Sequence, residues 1–335
     1  MSKRLWLGLS SMFIVFVMLL VGLTINGCST TVNTTTTAAS PPTGTTTIEV
    51  GSGGSATLTA NTKTGACSII VVDQNQNPIN STNYLNVNNI TVEVWTVTTA
   101  TQSASVGTLT YTGGSSGSAI SYCLMLDRSG SMFNSSSTMP SLEAAASTFV
   151  DNTKSTDQGC VVNFDSTIKV DQTLTTDKTL LKNAITNESV SGGGTALYDA
   201  VVTSVNTVDA GSNARKAVIA MTDGEDSGAS TNTLTSCIAA AKTLSIPVYT
   251  VLLGTSVNPT VLQQISTDTG GVYYSAATAT DLAALYDKIS SALSSSWTVD
   301  FTSPVTFTTG TTYYVRITVT YSGGITNSVV FTVTV

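Results

Sequence analysis

The chain has 335 residues, enough for about two domains, and its 13 Lys plus Arg against 20 Asp plus Glu give a net charge of −7. This balance argues against nucleic-acid binding, because nothing offsets the repulsion of phosphates. Histidine is absent, which excludes a Ser-His-Asp triad, a Cys-His pair and an HExxH zinc site. Charged residues make up 10% and hydrophobic residues 41%, a composition that favours a folded, exported protein over a disordered chain.

The first 47 residues predict a secretion signal followed by a linker. An uncharged apolar run, Leu5–Ile25, follows a short positive start and predicts a signal peptide over residues 1–27. The run ends in Ile25-Asn26-Gly27-Cys28, which resembles a bacterial lipobox and implies lipidation at Cys28. An uncleaved membrane anchor is the alternative, and both interpretations place the chain outside the cytoplasm, attached to a membrane. Residues 28–47 are rich in Ser, Thr and Pro and predict a flexible linker.

Two flanking segments, residues 48–118 and 296–335, have the composition of β-strands. Both contain runs rich in Val, Ile, Thr and Tyr between Gly, Asn and Pro turns. The predicted strands are Ala56–Ala60, Cys67–Asp73, Ile90–Thr98, Thr108–Thr112, Trp297–Phe301, Tyr313–Tyr321 and Ser328–Val335. Roughly seven strands are what an immunoglobulin-like sandwich needs, so we predict one all-β sandwich that contains the middle domain as an insertion. Two separate β modules are the alternative.

The middle of the chain, residues 119–295, alternates strand-like and helical patterns. Predicted strands are Ile120–Leu126, Gly159–Phe164, Thr167–Thr173 at an edge, Ala217–Met221, Pro247–Leu253 and Gly271–Tyr274. Predicted helices are Ser141–Asn152, one capped by Asp177 and ending at Ile185, Ala196–Val208, Thr233–Leu244, Pro259–Thr267 and Asp281–Leu293. This alternation predicts an α/β fold with a doubly wound, mostly parallel sheet and helices on both faces.

Three polar segments follow strands of this predicted sheet. Asp127-Arg128-Ser129-Gly130-Ser131 leaves the first strand, Thr195 follows the glycine run 192–194, and Asp223 follows another strand. Open α/β sheets bind ligands outside the carboxyl ends of their strands, so we expect these side chains to converge. Their carboxylate and hydroxyl oxygens are hard donors, which favour Mg²⁺, Mn²⁺ or Ca²⁺ over zinc or copper.

With these motifs, residues 119–295 resemble a von Willebrand factor A (VWA) domain. The D-x-S-x-S pattern, a distant Thr and a distant Asp before Gly resemble that family's metal-ion-dependent adhesion site (MIDAS). The resemblance implies that Ser129, Ser131 and, in some states, Thr195 bind the metal directly, while Asp127 and Asp223 act through water. It also implies a protein partner whose Asp or Glu carboxylate completes the metal coordination.

The sequence therefore predicts a lipid-anchored module of the cell envelope that binds or adheres to a partner protein through a divalent metal. A structural or assembly component with a stabilising metal is the alternative. We expect no enzyme activity, because no general base is evident. A sensor is a variant of the first hypothesis, since a shift of helix 281–293 would reach the C-terminal strands.

Two groups of side chains outside this site receive separate predictions. Asp165, Glu225 and Asp226 are expected to be solvated charges in loops. Four cysteines remain besides Cys28: Cys67, Cys123, Cys160 and Cys237. Buried free thiols and disulfides both stay open for them, whereas a catalytic cysteine is not expected without histidine.

Overall fold

The computed structural model describes residues 37–112, 119–134, 136–187, 189–254, 258–276, 281–294 and 296–335. The predicted signal peptide 1–27 and the predicted lipidation site Cys28 lie outside the described residues. Among the described helices, none is both long and apolar enough to cross a membrane.

The described chain folds into thirteen strands and six α-helices. The strands are β1 Ile48–Leu58, β2 Thr64–Asp73, β3 Ile90–Trp95, β4 Gln102–Thr112, β5 Ile120–Asp127, β6 Gln158–Phe164, β7 Ile168–Thr175, β8 Arg215–Thr222, β9 Val248–Leu253, β10 Tyr273–Ala276, β11 Ser296–Thr302, β12 Thr312–Thr320 and β13 Thr326–Thr334. The helices are α1 Thr138–Asn152, α2 Lys178–Ile185, α3 Leu197–Asp209, α4 Leu234–Thr243, α5 Thr260–Thr269 and α6 Asp281–Ser294.

The middle domain contains a six-stranded sheet in the order β10-β9-β8-β5-β6-β7. Its strands are parallel except for β7, which pairs antiparallel with β6 at one edge. Strand β5 is buried along its whole length, because residues pointing to either face meet helices. Leu124 and Leu126 pack with α1, α2 and α6, whereas Cys123 and Met125 pack with α3, α4 and α5. The predicted doubly wound α/β fold and its edge strand are confirmed.

Strands of the two flanks pair in one seven-stranded antiparallel sheet in the order β1-β2-β11-β4-β3-β12-β13. Strand β4 changes partner along its length: residues Gln102–Ala104 pair with β3, and residues from Ser105 onward pair with β11. Strand β11, from the C-terminal flank, lies between β2 and β4 of the N-terminal flank. The core of this part includes Trp297, whose indole N–H donates to the carbonyl of Ile79 at 2.7 Å. Its immunoglobulin-like character stays a prediction.

The four cysteines in the described part of the chain are buried free thiols. Cys123 and Cys160 face each other in the parallel pair β5/β6 and belong to the same apolar cluster. Burial raises the pKa of the Cys67 thiol, and of Cys237 to about 12, so neither is activated as a nucleophile.

Candidate metal site

The polar segments meet at the carboxyl edge of the six-stranded sheet. Asp127 is the last residue of β5, and Asp223 directly follows β8, the neighbouring strand. Leu126 lies opposite Met221 in this parallel pair, so Asp127 and Thr222 end their strands side by side. The pairing of these two strands therefore brings the two predicted carboxylates, Asp127 and Asp223, to the same end of the sheet.

Asp127 is fully buried and held by two hydrogen bonds. The backbone N–H of Ser129 donates to Oδ1 at 2.7 Å, and the hydroxyl of Thr222 donates to Oδ2 at 2.5 Å. Burial raises the pKa of Asp127 to about 6, against the opposite effect of these hydrogen bonds. Asp127 thus fixes the start of the loop, and Thr222, which the sequence analysis did not single out, fixes Asp127.

The remaining D-x-S-x-S side chains form a short hydrogen-bonded series. Oγ of Ser129 lies 3.2 Å from Oγ of Ser131, whose hydroxyl donates to Oδ1 of Asp223 at 2.7 Å. Ser129 precedes a 3₁₀ turn, Gly130–Phe133, which contains Ser131. Burial raises the pKa of Asp223. Four of the five predicted site residues are therefore joined by hydrogen bonds.

The fifth, Thr195, reaches this edge through the glycine loop 192–194. The N–H of Gly130 donates to the carbonyl of Gly193, and the N–H of Gly192 donates to the carbonyl of Arg128, both at 2.9 Å. Thr195 is buried, and its N–H donates to Oγ of Ser227 at 2.8 Å. Within the described residues its hydroxyl makes no hydrogen bond to the other four. Backbone pairing between the two loops therefore sets its position.

Asp165 corrects one expectation, because it is buried rather than solvated. Its carboxylate accepts hydrogen bonds from the N–H of Thr167 at 2.7 Å and from the N–H of Gly193 at 3.1 Å. It therefore fastens the glycine loop, a role invisible in the sequence because Gly193 lies 28 residues further along the chain. Glu225 is exposed as expected, while Asp226 is half-buried and accepts from the N–H of Gly228 at 2.8 Å.

The donor set consists of oxygen atoms alone. In the described part of the chain no group of three or more Cys, Asp or Glu side chains is arranged to hold a metal, so a cation here would depend on the serine and threonine hydroxyls. Hard divalent cations accept such ligands. Phe133, which the sequence analysis did not single out, ends the 3₁₀ turn and is 39% exposed. It adds an apolar side chain to the loop that contains Ser129 and Ser131.

The six-stranded sheet with helices on both faces, and with hydroxyl and carboxylate oxygens gathered at its carboxyl edge, defines this part of the protein as an open α/β domain. Residues 123–288 match the model of the von Willebrand factor type A domain. The middle of the chain is therefore a VWA domain.

Solved structures are similar to this chain at low sequence identity. Proximal thread matrix protein 1 from the mussel byssus, in a structure with a zinc-occupied MIDAS motif, has a TM-score of 0.50 and 17% identity over 56% of this chain and 49% of that chain. A von Willebrand factor type A protein from Catenulispora acidiphila has a TM-score of 0.49 and 12% identity over 88% of this chain and 74% of that one. The vWF domain of the type V pili tip protein Mfa5 from Porphyromonas gingivalis has a TM-score of 0.43 and 12% identity over 52% and 94%. No curated protein matches the chain in sequence.

Proposed function

We propose that the chain is a lipid-anchored protein of the cell envelope that binds a partner protein through a divalent metal at the carboxyl edge of its VWA domain. The observation that carries the proposal is the series of hydrogen bonds from Asp127 through Ser129 and Ser131 to Asp223. Three separate stretches of the chain supply these oxygens and the neighbouring Thr195. An ordinary surface turn would need only one stretch.

In this proposal the hydroxyls of Ser129, Ser131 and Thr195 hold the metal, and Asp127 and Asp223 orient them and water. A bound divalent cation would supply a positive centre that accepts a carboxylate oxygen from an Asp or Glu of the partner. The mussel byssus protein with its zinc-occupied MIDAS motif is a precedent for a divalent metal on this fold. Mg²⁺ is the cation we favour, with Mn²⁺ or Ca²⁺ as alternatives, because oxygen is the only donor type.

The rest of the chain would present this site to the partner. The lipobox-like sequence ending at Cys28 supports attachment to a membrane, and residues 28–47 would serve as a spacer. We propose that the two flanks form an immunoglobulin-like domain that carries the VWA domain. Their pairing in one seven-stranded antiparallel sheet is consistent with this. We also propose that the protein is not an enzyme.

Metal binding is tested by calorimetric titration of the protein, spanning residues 48–335, with Mn²⁺. Ser131→Ala and Asp223→Ala each remove one oxygen of the series, and we expect each to weaken Mn²⁺ binding at least about 10-fold. Asp268→Ala removes a carboxylate exposed on α5 and should bind like the wild type. Equal affinity in Ser131→Ala, Asp223→Ala and the wild type would place the metal elsewhere.

The adhesion and assembly hypotheses differ in what the metal changes. Wild-type protein and Asp127→Ala are offered to membranes in Mg²⁺ and in EDTA, and their melting temperatures are measured under the same conditions. For an adhesion module, a captured partner is released by EDTA and is not bound by Asp127→Ala. If Mg²⁺ only raises the melting temperature and the same partner stays bound in EDTA, the metal is structural.

A further inference from the structure

Arg128 lies inside the D-x-S-x-S loop, yet its side chain points into the protein and is 0% exposed. Its Nε donates to Oδ1 of Asn163 at 3.2 Å, and its Nη1 donates to Oε1 of Glu143 at 2.7 Å. Its Nη2 donates to the carbonyl of Ile185. One guanidinium therefore joins three elements: β6, α1 and the C-terminal end of α2.

The backbone of the same residue ties together the two loops of the site. The N–H of Arg128 donates to the carbonyl of Phe164 at 2.7 Å, and its carbonyl accepts from the N–H of Gly192 at 2.9 Å. Asn163 is itself fixed, since its amide donates to Asp171 at 2.7 Å and to the carbonyl of Ala184 at 3.0 Å. The acceptor of the Arg128 Nε hydrogen bond, Asn163, is therefore itself held in place by hydrogen bonds to other residues.

Burying a guanidinium is costly, and an apolar side chain of similar volume often packs as well or better. Packing alone therefore does not explain an arginine at this position. The planar guanidinium supplies several donors in a fixed geometry, which an apolar residue or a lysine does not. What those donors determine here is the path of the chain between Asp127 and Ser129.

We propose that Arg128 is a positioning residue for the metal site: it holds the loop so that the hydroxyls of Ser129 and Ser131 face the cation without reorganisation. This inference rests on the proposed function. Groups that orient metal ligands typically contribute 10- to 100-fold to metal affinity. Without the guanidinium, the loop must be ordered at the moment of binding, and the affinity falls accordingly.

The matched control is Arg215, a second arginine that is only 3% exposed. It is the first residue of β8, at the amino end of the strands and so at the end of the sheet opposite the metal site. Its side chain donates to the carbonyls of Gly53 and Leu293 at 2.6 and 2.7 Å. Arg215→Met should cost as much thermal stability as Arg128→Met. We expect Mn²⁺ affinity to fall at least about 10-fold in Arg128→Met and to change less than about twofold in Arg215→Met.

Calorimetric titration with Mn²⁺, paired with thermal denaturation of the same samples, gives the answer. Arg128→Met binding Mn²⁺ as tightly as Arg215→Met would overturn the positioning role while leaving the metal site intact. If the wild type itself binds no Mn²⁺, the proposed metal site fails and this inference fails with it.

Glu143→Gln provides a second variant should Arg128→Met not fold. Glu143 is 22% exposed, so the change is milder; it keeps an oxygen acceptor but removes the charge that pairs with Arg128. We expect Mn²⁺ affinity to fall about threefold or more, in line with the smaller disturbance of an orienting group. Wild-type affinity in Glu143→Gln would contradict the proposal.

Discussion

At the scale of single residues, the site depends on close approach between its loops, and Gly193 shows why glycine is needed there. A Cβ at this position would lie 2.5 Å from Oγ of Ser166 and 2.7 Å from Oδ2 of Asp165. The serine hydroxyl can rotate away, but the Asp165 carboxylate is fixed by Thr167 and by Gly193 itself. A larger residue must therefore displace the glycine loop that positions Thr195.

We predict that Gly193→Ala destabilises the protein by about 1–3 kcal/mol, the usual cost of overpacking, and weakens Mn²⁺ binding. Gly224→Ala is the matched control, because it also adjoins the site but a Cβ there meets no atom within 4 Å. That variant should keep its Mn²⁺ affinity and its stability within about 0.5 kcal/mol. Thermal denaturation and Mn²⁺ titration check both, and indistinguishable variants would show that the loop can move freely.

At the scale of elements, helix α6 is held at several points along its length. The carbonyl of Leu293 accepts from Arg215 at 2.7 Å, and Nζ of Lys288 donates to the carbonyl of Asn75 at 2.7 Å. The amide of Asn152 in α1 donates to Asp287 at 3.0 Å. A shift of the C-terminal end of this helix away from β8, as the sensor hypothesis requires, would stretch its contact with Arg215.

Arg215→Met should therefore loosen the C-terminal end of α6. Removing the guanidinium leaves two buried carbonyls without this donor, at a cost of about 1–3 kcal/mol each. We expect faster hydrogen exchange in peptides covering residues 285–300 and no change in α3, which packs on the other face of the sheet. Unaltered exchange in residues 285–300 would mean that α6 is anchored by other contacts. Hydrogen exchange of the wild type with and without Mg²⁺ then tests whether metal binding changes the protection of this helix.

Apolar runs and caps predicted the VWA strands and helices to within a few residues; Asp177, for example, accepts from the N–H groups of Thr179 and Leu180 at the start of α2. The first eight of the eleven residues of β1 were missed, because Gly51-Ser52-Gly53 shows no strand pattern. A Cβ at Gly51 would lie 2.8 Å from Val272, far along the chain. Local sequence patterns therefore predict local secondary structure. The roles of glycines such as Gly51 and of buried charges such as Asp165 depend on contacts with residues far along the chain, which local patterns do not show.

At the scale of the whole molecule, the described VWA domain and seven-stranded sheet share a core. Ile70 and Val72 of β2 belong to the apolar cluster formed by β5, α1 and α6. Polar contacts reinforce the junction: the hydroxyl of Tyr249 donates to the carbonyl of Ser52 at 2.5 Å, and the N–H of Ser52 donates to the carbonyl of Gly270 at 2.5 Å. We therefore expect the two parts to unfold together, so that a change at their junction affects the stability of both.

Glu49 makes that junction sensitive to pH. Its neighbours in β1, Ile48 and Val50, belong to the core of the seven-stranded sheet, while burial raises the pKa of Glu49 from 4.5 to about 7. Burial raises the pKa of the Tyr274 hydroxyl of β10, and the nearby Tyr249 and Glu49 raise it further, which places Glu49 close to this strand of the VWA domain. Because the folded state binds the Glu49 proton more tightly than the unfolded state, the stabilisation is complete below about pH 4.5 and is lost as pH rises through 7.

We therefore predict that, between pH 5 and pH 8, the metal-free wild type loses about 1–2 kcal/mol relative to Glu49→Gln, less than the full shift implies because solvent reaches part of the side chain. Glutamine keeps the neutral form at every pH, so the stability of the variant should depend less on pH. Urea denaturation in EDTA, followed at several pH values, measures the difference. If the two stability curves run parallel, Glu49 is ionised in the folded protein and the junction accommodates its charge.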